Sequence, residues 1–191
     1  MNGAAKLDPE RTALVVIDVQ EGFRTAIPDF ERIAKAVATL IEGAEAIGIP
    51  MVVSEQYPKG LGETVPEVSE HLPEGTQPLD KLIFSAAEVE GFDLGGRDQV
   101  LLCGVETHVC VNQTALDLLA TGVDVQVAED AVGSRTEENK QVGLHKMERA
   151  GAEITSVETA LFELLGRAGT DEFKRVQKLI LDYVPNAEVV G

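Results

Sequence analysis

Residues 99–127 read QVLLCGVETHVCVNQTALDLLATGVDVQV. Gln99 to Val105 is an apolar run of strand length. Val109 to Thr121 carries apolar residues at helical spacing, and Gly122 stops it. Val123 to Val127 is a second apolar run. Strand, helix and strand in under about 30 residues form a βαβ unit, whose two strands must run parallel.

The alternation continues outward in both directions. Ala13 to Ile17 reads as a buried strand. Ile33, Val37, Leu40, Ile41, Ala44 and Ile47 recur at helical spacing, and Gly48 closes that helix. Ile49 to Val53 starts the next strand. Downstream, Thr136 to Ala150 reads as a helix stopped by Gly151, Ala152 to Ser156 as a short strand, and the chain to Leu165 as a helix. Phe173 to Tyr183 reads as a terminal helix. Near-continuous Val, Ile and Leu strands are those of a sheet covered on both faces. The prediction is a doubly wound α/β fold, with a mostly parallel sheet and helices on both faces. It forms one domain over residues 1–191, with its core at about 11–166 and a C-terminal helix at about 170–183. Glu55 to Glu90 breaks the pattern with Pro58, Pro66, Pro73 and Pro78. It predicts a long irregular excursion with one short edge strand near Leu79 to Phe84.

The formal net charge is −17. Such a surface repels phosphate polyanions and anionic membranes, and the Lys and Arg residues are too scattered to form a basic patch. Neither nucleic acid nor membrane is expected as a partner. No apolar run reaches the roughly 20 residues of a bilayer span, and the first residues lack a signal pattern, so a cytoplasmic location is expected. Cys103 and Cys110 make no disulfide scaffold. His71, His108 and His145 are dispersed, and no zinc-ligand spacing occurs. Neither a cofactor nor a metal is expected.

In open parallel sheets, ligands bind beyond the carboxyl ends of the strands. That directs attention to Asp18, Glu55 and the segment Gly104 to Cys110. Asp18 follows ALVVI directly, so its carboxylate is partly desolvated, which raises its pKa and suits a general base. A loop acid or helix cap is the other reading. Cys110 stands where a helix begins, so backbone N–H groups and the helix dipole favour a thiolate. A small core cysteine is the alternative, and Cys103, inside its strand, is read that way. Lys81 precedes an apolar triplet, and from spacing alone it is a solvated edge residue.

Three stretches carry a resemblance: ALVVIDVQEGF at 13–23, Lys81 within DKLIFSA, and GVETHVCVNQTALDLLATGVDVQVAEDAVGS at 104–134. Together they resemble the isochorismatase-like cysteine hydrolases, which include nicotinamidases and N-carbamoylsarcosine amidases. SEQYPKGLGETVPEV and the tail FKRVQKLILD are closer still to isochorismatase domain-containing proteins of undefined substrate. The resemblance implies a triad of Asp18, Lys81 and Cys110. It also implies a cis peptide between Val105 and Glu106, and an oxyanion hole from the Glu106 and Cys110 N–H groups. It implies a homo-oligomer, for which the Pro-rich segment around Leu61 to Pro78 is a candidate interface. Nicotinamidases hold a metal on an Asp and His cluster in the loop that here reads Ser54, Glu55, Gln56, Tyr57, Pro58. That loop has no histidine, so the metal does not carry over. The nucleophilic cysteine favours acyl chemistry over vinyl-ether cleavage.

The resulting expectation is a metal-independent hydrolase of a small amide or related carbonyl, acting through a Cys110 thioester. Gln20, Phe23, Glu55, Gln56, Tyr57 and Phe84 are candidates for the substrate pocket, with Gln20 a candidate to orient Asp18 or its neighbours. Two other classes stay open: redox chemistry at Cys110, and a catalytically silent scaffold of the same fold. The state of Cys110 is also open. Lys81 and the helix start would lower its pKa, whereas Asp18 would raise it.

Overall fold

The computed structural model describes residues 6–183. Its centre is a six-stranded sheet in the order β3-β2-β1-β4-β5-β6, with every pair parallel. The strands are β1 (Thr12–Ile17), β2 (Met51–Gln56), β3 (Leu79–Lys81), β4 (Gln99–Val105), β5 (Asp124–Gly133) and β6 (Glu153–Thr155). Every residue of β1 and β4 is buried. That is why those runs show no polar alternation: helices cover both of their faces.

One face holds α1 (Phe30–Ile47), α6 (Val157–Leu165) and α7 (Asp171–Tyr183). The apolar stripe of α1 buries Phe30, Ile33, Val37, Leu40 and Ile41 almost completely. Each such side chain contributes about 1.5–3 kcal/mol of burial. Gly48 ends α1 at φ 85°, and its N–H donates to the Ala44 carbonyl at 2.9 Å. The other face holds α4 (Asn112–Ala120) and α5 (Glu137–Ala150), packed over Val100, Leu102, Val125 and Val127. Thr136 caps α5 by accepting from Asn139 N–H, and Ser156 caps α6 by accepting from Thr159 N–H.

The structure moves several predicted boundaries. β2 begins at Met51 and runs to Gln56, so Glu55 lies inside the strand rather than after it. β5 continues past Val127 to Gly133, hidden in the sequence by the acidic pair Glu129 and Asp130. Asp130 is occupied structurally: it accepts from Val157 N–H and from the Tyr183 hydroxyl, both at 2.9 Å. The excursion after β2 carries two single-turn helices, α2 (Pro58–Leu61) and α3 (Pro66–Ser69), each with proline in its first turn. β3 is only three residues long, and α7, Asp171–Tyr183, begins two residues before Phe173 and inside the expected span of about 170–183.

The strand order reverses direction between β1 and β4, which places the crevice of an open α/β sheet at their carboxyl ends. Register brings four segments together there: Ile17 lies opposite both Ser54 and Gly104, and Gln56 lies opposite Lys81. β4 reaches the crevice through a register shift between Leu102 and Gly104. Gly104 sits at φ 111°, and a Cβ there would collide with the backbone of Ile17. Only glycine lets β4 approach β1 so closely at this point.

Candidate active site

Asp18 is the first residue past β1 and adopts a left-handed φ of 52°. Asp tolerates that region better than most residues, and such backbone outliers cluster at functional sites. The turn aims the carboxylate back into the crevice, where the side chain is wholly buried. Two partners hold it. Lys81 Nζ lies 2.7 Å from Oδ2, and the Ser54 hydroxyl donates to Oδ1 at 2.7 Å. Burial pushes the Asp18 carboxyl above the usual carboxylate range, against the opposing pull of Lys81, Ser54 and Cys110.

Lys81 closes β3 and is 3% exposed, so it is no solvated edge residue. Its ammonium also donates to Gln56 Oε1 at 2.6 Å and to the Phe84 carbonyl at 3.0 Å. Asp18 supplies the countercharge, and these oxygens with the Ile83 carbonyl at 3.5 Å give its N–H groups acceptors, as burial of a cation requires.

Cys110 lies in a π-helical turn, Thr107–Val111, that leads into α4. Such turns recur at functional sites. The peptide between Val105 and Glu106, just before the turn, is cis. The thiol is nearly buried, and its Sγ lies 3.8 Å from Gln56 Oε1. Its pKa resolves the two opposing influences. Burial is the largest effect and Asp18 adds to it, while Lys81 pulls the other way without prevailing. The thiol is pushed up to about 12. The resting sulfur therefore carries its proton. Cys103 sits within the sheet, fully buried, with its Sγ 3.7 Å from the Val15 carbonyl.

The other candidate residues divide by strand alternation. Ser54 and Gln56 face the thiol side of β2. Glu55 faces away and accepts from both the backbone and the hydroxyl of Thr64, at 2.7 and 2.6 Å. Gln20 meets Asp18 only through main chain, its N–H donating to the Asp18 carbonyl at 2.8 Å, while its side chain is engaged elsewhere. It is buried and accepts from Gln56 N–H at 2.7 Å while donating to the Gly62 carbonyl at 2.6 Å. It thereby fixes the end of β2. Phe23 packs half-buried against the α1 core. Tyr57 and Phe84 are about half exposed at the rim, beside the exposed Leu82 and Ile83.

The Glu106 carboxylate pairs with Arg135 at 3.0 Å, and His108 Nδ1 meets the Ser134 hydroxyl at 3.0 Å. Both contacts tie the cysteine turn to the end of β5. Ser54, Ser134, Arg135 and Thr114 were not predicted. Thr114 donates to the Cys110 carbonyl at 2.7 Å and accepts from Ala86 N–H at 2.9 Å, which fastens the segment after Lys81 to the cysteine helix. Its position four residues after Cys110 was the available signal.

The residues at the end of β2 that would have to hold a metal are committed elsewhere: Ser54 to Asp18, Glu55 to Thr64, Gln56 to Lys81. Among the described residues, no three His, Cys, Asp or Glu side chains group to hold a metal ion. The site does not fit the nicotinamidase metal.

The sequence model of the isochorismatase domain matches residues 12–159, which include β1, the lysine strand and the cysteine turn. The chain belongs to the isochorismatase family. It is 38% identical over 186 residues to human isochorismatase domain-containing protein 2, covering 96% of this chain and 89% of that one. A solved structure of MAR1 ribonuclease from Caenorhabditis elegans superposes with a TM-score of 0.88 at 41% identity, covering 98% of each chain. The fold is shared also with Escherichia coli YcaC, an octameric hydrolase of unknown specificity. There the TM-score is 0.82 and the identity 22%, with 97% of this chain and 94% of that one covered. This isochorismatase-family chain thus has a hydrolase fold of six parallel strands between two helical layers. No helix among its described residues is long and apolar enough to cross a membrane.

Proposed function

We propose that the protein is a metal-independent hydrolase of a small amide or related carbonyl compound, with Cys110 as nucleophile, Asp18 as general base and Lys81 as the fixed cation. One observation carries this reading. A fully buried Asp18–Lys81 ion pair, 2.7 Å apart, stands beside a thiol at the carboxyl ends of β1 and β4. Burying two charges is costly, and an apolar pair of similar volume would serve stability as well or better. Chemistry accounts for keeping them.

The proton is on sulfur in the resting state. In the proposed mechanism Asp18 takes it as Sγ forms its bond to the substrate carbonyl carbon. The carbonyl π electrons move to oxygen, and the Glu106 and Cys110 N–H groups receive that oxyanion. When it collapses, the C–N bond breaks and Asp18 returns the proton to the leaving nitrogen. Water then attacks the thioester with Asp18 again as base, and the acid leaves as the thiol is restored. Lys81 stays charged throughout and holds Asp18 in place.

The nematode relative is described as a ribonuclease. An RNA backbone would have to approach this chain against a net charge of −17, so the small-molecule reading is preferred. The test is intact-mass spectrometry of the protein mixed with a library of small amides. An acyl adduct on Cys110 with at least one amide is expected. Cleavage of RNA that disappears in Cys110→Ala, with no acyl adduct from any amide, would overturn the reading.

We also propose a homo-oligomer acting in the cytoplasm. YcaC is octameric, and Leu82, Ile83 and Phe84 form an exposed apolar rim. That rim is a second candidate surface beside the Leu61 to Pro78 segment. Light scattering at micromolar concentration should give a multiple of 20.4 kDa. A single species of that mass would refute the oligomer.

A further inference from the structure

We propose that Gln56 is a specificity-determining residue whose side-chain carboxamide closes the free site by holding the place of a substrate's primary carboxamide, between Lys81, Cys110 and the Leu82 carbonyl. The inference rests on the amide-hydrolase reading: the carboxamide so held is the arriving one, and its oxygen passes from Lys81 to the Glu106 and Cys110 N–H groups only as Sγ attacks.

An ammonium has three donors, and four oxygens already surround that of Lys81: Asp18 Oδ2 at 2.7 Å in an ion pair, Gln56 Oε1 at 2.6 Å, the Phe84 carbonyl at 3.0 Å and the Ile83 carbonyl at 3.5 Å. A ligand can gain a proton from Lys81 only if one of these leaves. Asp18 is the buried countercharge, and Phe84 offers main chain. Gln56 is neutral, only half-buried, and carried on two flexible methylenes, so it is the partner that leaves at least cost. The same oxygen lies 3.8 Å from Cys110 Sγ and covers the thiol.

The amide has one orientation. Its Nε2 donates to the Leu82 carbonyl at 3.1 Å, while its oxygen faces two donors. The reverse orientation would set an NH2 against an ammonium. What this geometry accepts is therefore a carbonyl oxygen beside at least one N–H, and a carboxamide displacing Gln56 replaces its bonds like for like. A tertiary amide has no N–H for Leu82. The backbone of Gln56 stays where Gln20 fixes it, so only the side chain need swing.

Alkylation of Cys110 tests this without requiring turnover. The sulfur forms a bond to the probe's methylene carbon, iodide leaves with the C–I electrons, and the thiol proton passes to Asp18. Rates are measured by intact mass for iodoacetamide and for N,N-dimethyl-2-iodoacetamide. Each is divided by its rate with N-acetylcysteine, and Cys103→Ala serves as background in every variant. The wild type should prefer the primary carboxamide by up to about tenfold, the worth of the one neutral N–H to carbonyl hydrogen bond that the dimethyl probe lacks. Gln56→Ala should label faster with both probes, most of all with the dimethyl probe, because nothing then has to be displaced. Gln56→Asn keeps the amide but is one methylene too short, and should behave like Gln56→Ala. Gln56→Glu should slow both, since a carboxylate binds Lys81 more tightly and opposes a thiolate. Equal normalised rates for the two probes in the wild type would overturn the proposal. So would Gln56→Ala and Gln56→Asn labelling no faster than wild type while showing its unfolding midpoint. If no amide is ever hydrolysed, the amide-hydrolase reading fails on turnover, and the labelling preference still decides the role of Gln56.

Discussion

Cys110→Ala is expected to abolish hydrolysis, with a loss of about 10^4-fold or more in kcat, and to leave the fold in place. Removing a nucleophile forfeits the covalent route altogether, and residual catalysis comes only from binding and the oxyanion donors. The structural loss is small by comparison: one sulfur from a site that is nearly but not fully closed. That sulfur is a neutral thiol, the form that burial and Asp18 both favour, so no buried charge is lost with it. Cys103→Ala is the contrasting control. It opens a cavity in the sheet core, which should cost about 1 kcal/mol or more, and should leave kcat unchanged. Steady-state rates on any amide that acylates the wild type, together with urea unfolding of both variants, give the comparison. Activity that survives in Cys110→Ala and falls in Cys103→Ala would show that the nucleophile has been misplaced.

The parts of this site differ in how far the sequence exposes them, and the reason is distance along the chain. Asp18 and Cys110 each follow a strand that is recognisable by itself, so a local pattern locates both at the sheet's carboxyl edge. Lys81 has no such pattern. Its place depends on a three-residue edge strand pairing with β2 so that it faces Gln56, and composition does not encode that register. Only family resemblance singles it out. Glu55 and Gln56 show the cost of a boundary error. With the strand ending at Val53 they are neighbours in one loop. With the strand ending at Gln56 they face opposite ways, one committed to Thr64 and the other to the thiol. The protonation state of Cys110 is harder still. It depends on the sum of burial and two opposite charges at short range, and the residue types give the signs but not the distances.

Lys81→Met should destabilise the protein by about 3–5 kcal/mol near pH 8, because the change leaves Asp18 a buried carboxylate with no countercharge. The methionine fills most of the volume, so the loss is electrostatic rather than a cavity. The deficit should shrink at lower pH, and the sign follows from linkage. Asp18 already binds its proton more tightly in the folded state than in the unfolded one, since burial raises its pKa. Lys81 is the leading influence holding that rise down, so the variant's carboxyl rises further. A group raised on folding contributes stability below its unfolded pKa and loses it as pH climbs toward its folded pKa. The variant therefore loses stability over a wider range of rising pH than the wild type, and the two curves converge in acid. Urea unfolding at pH 5 and pH 8 measures this. The thiol should respond in the same sense. Without Lys81 its pKa, already about 12, loses the one nearby charge that lowers it, and iodoacetamide labelling at pH 8 should slow. Equal deficits at the two pH values, with unchanged labelling, would mean that Lys81 shares no field with Asp18 and Cys110, and the proposed triad would lose its cation.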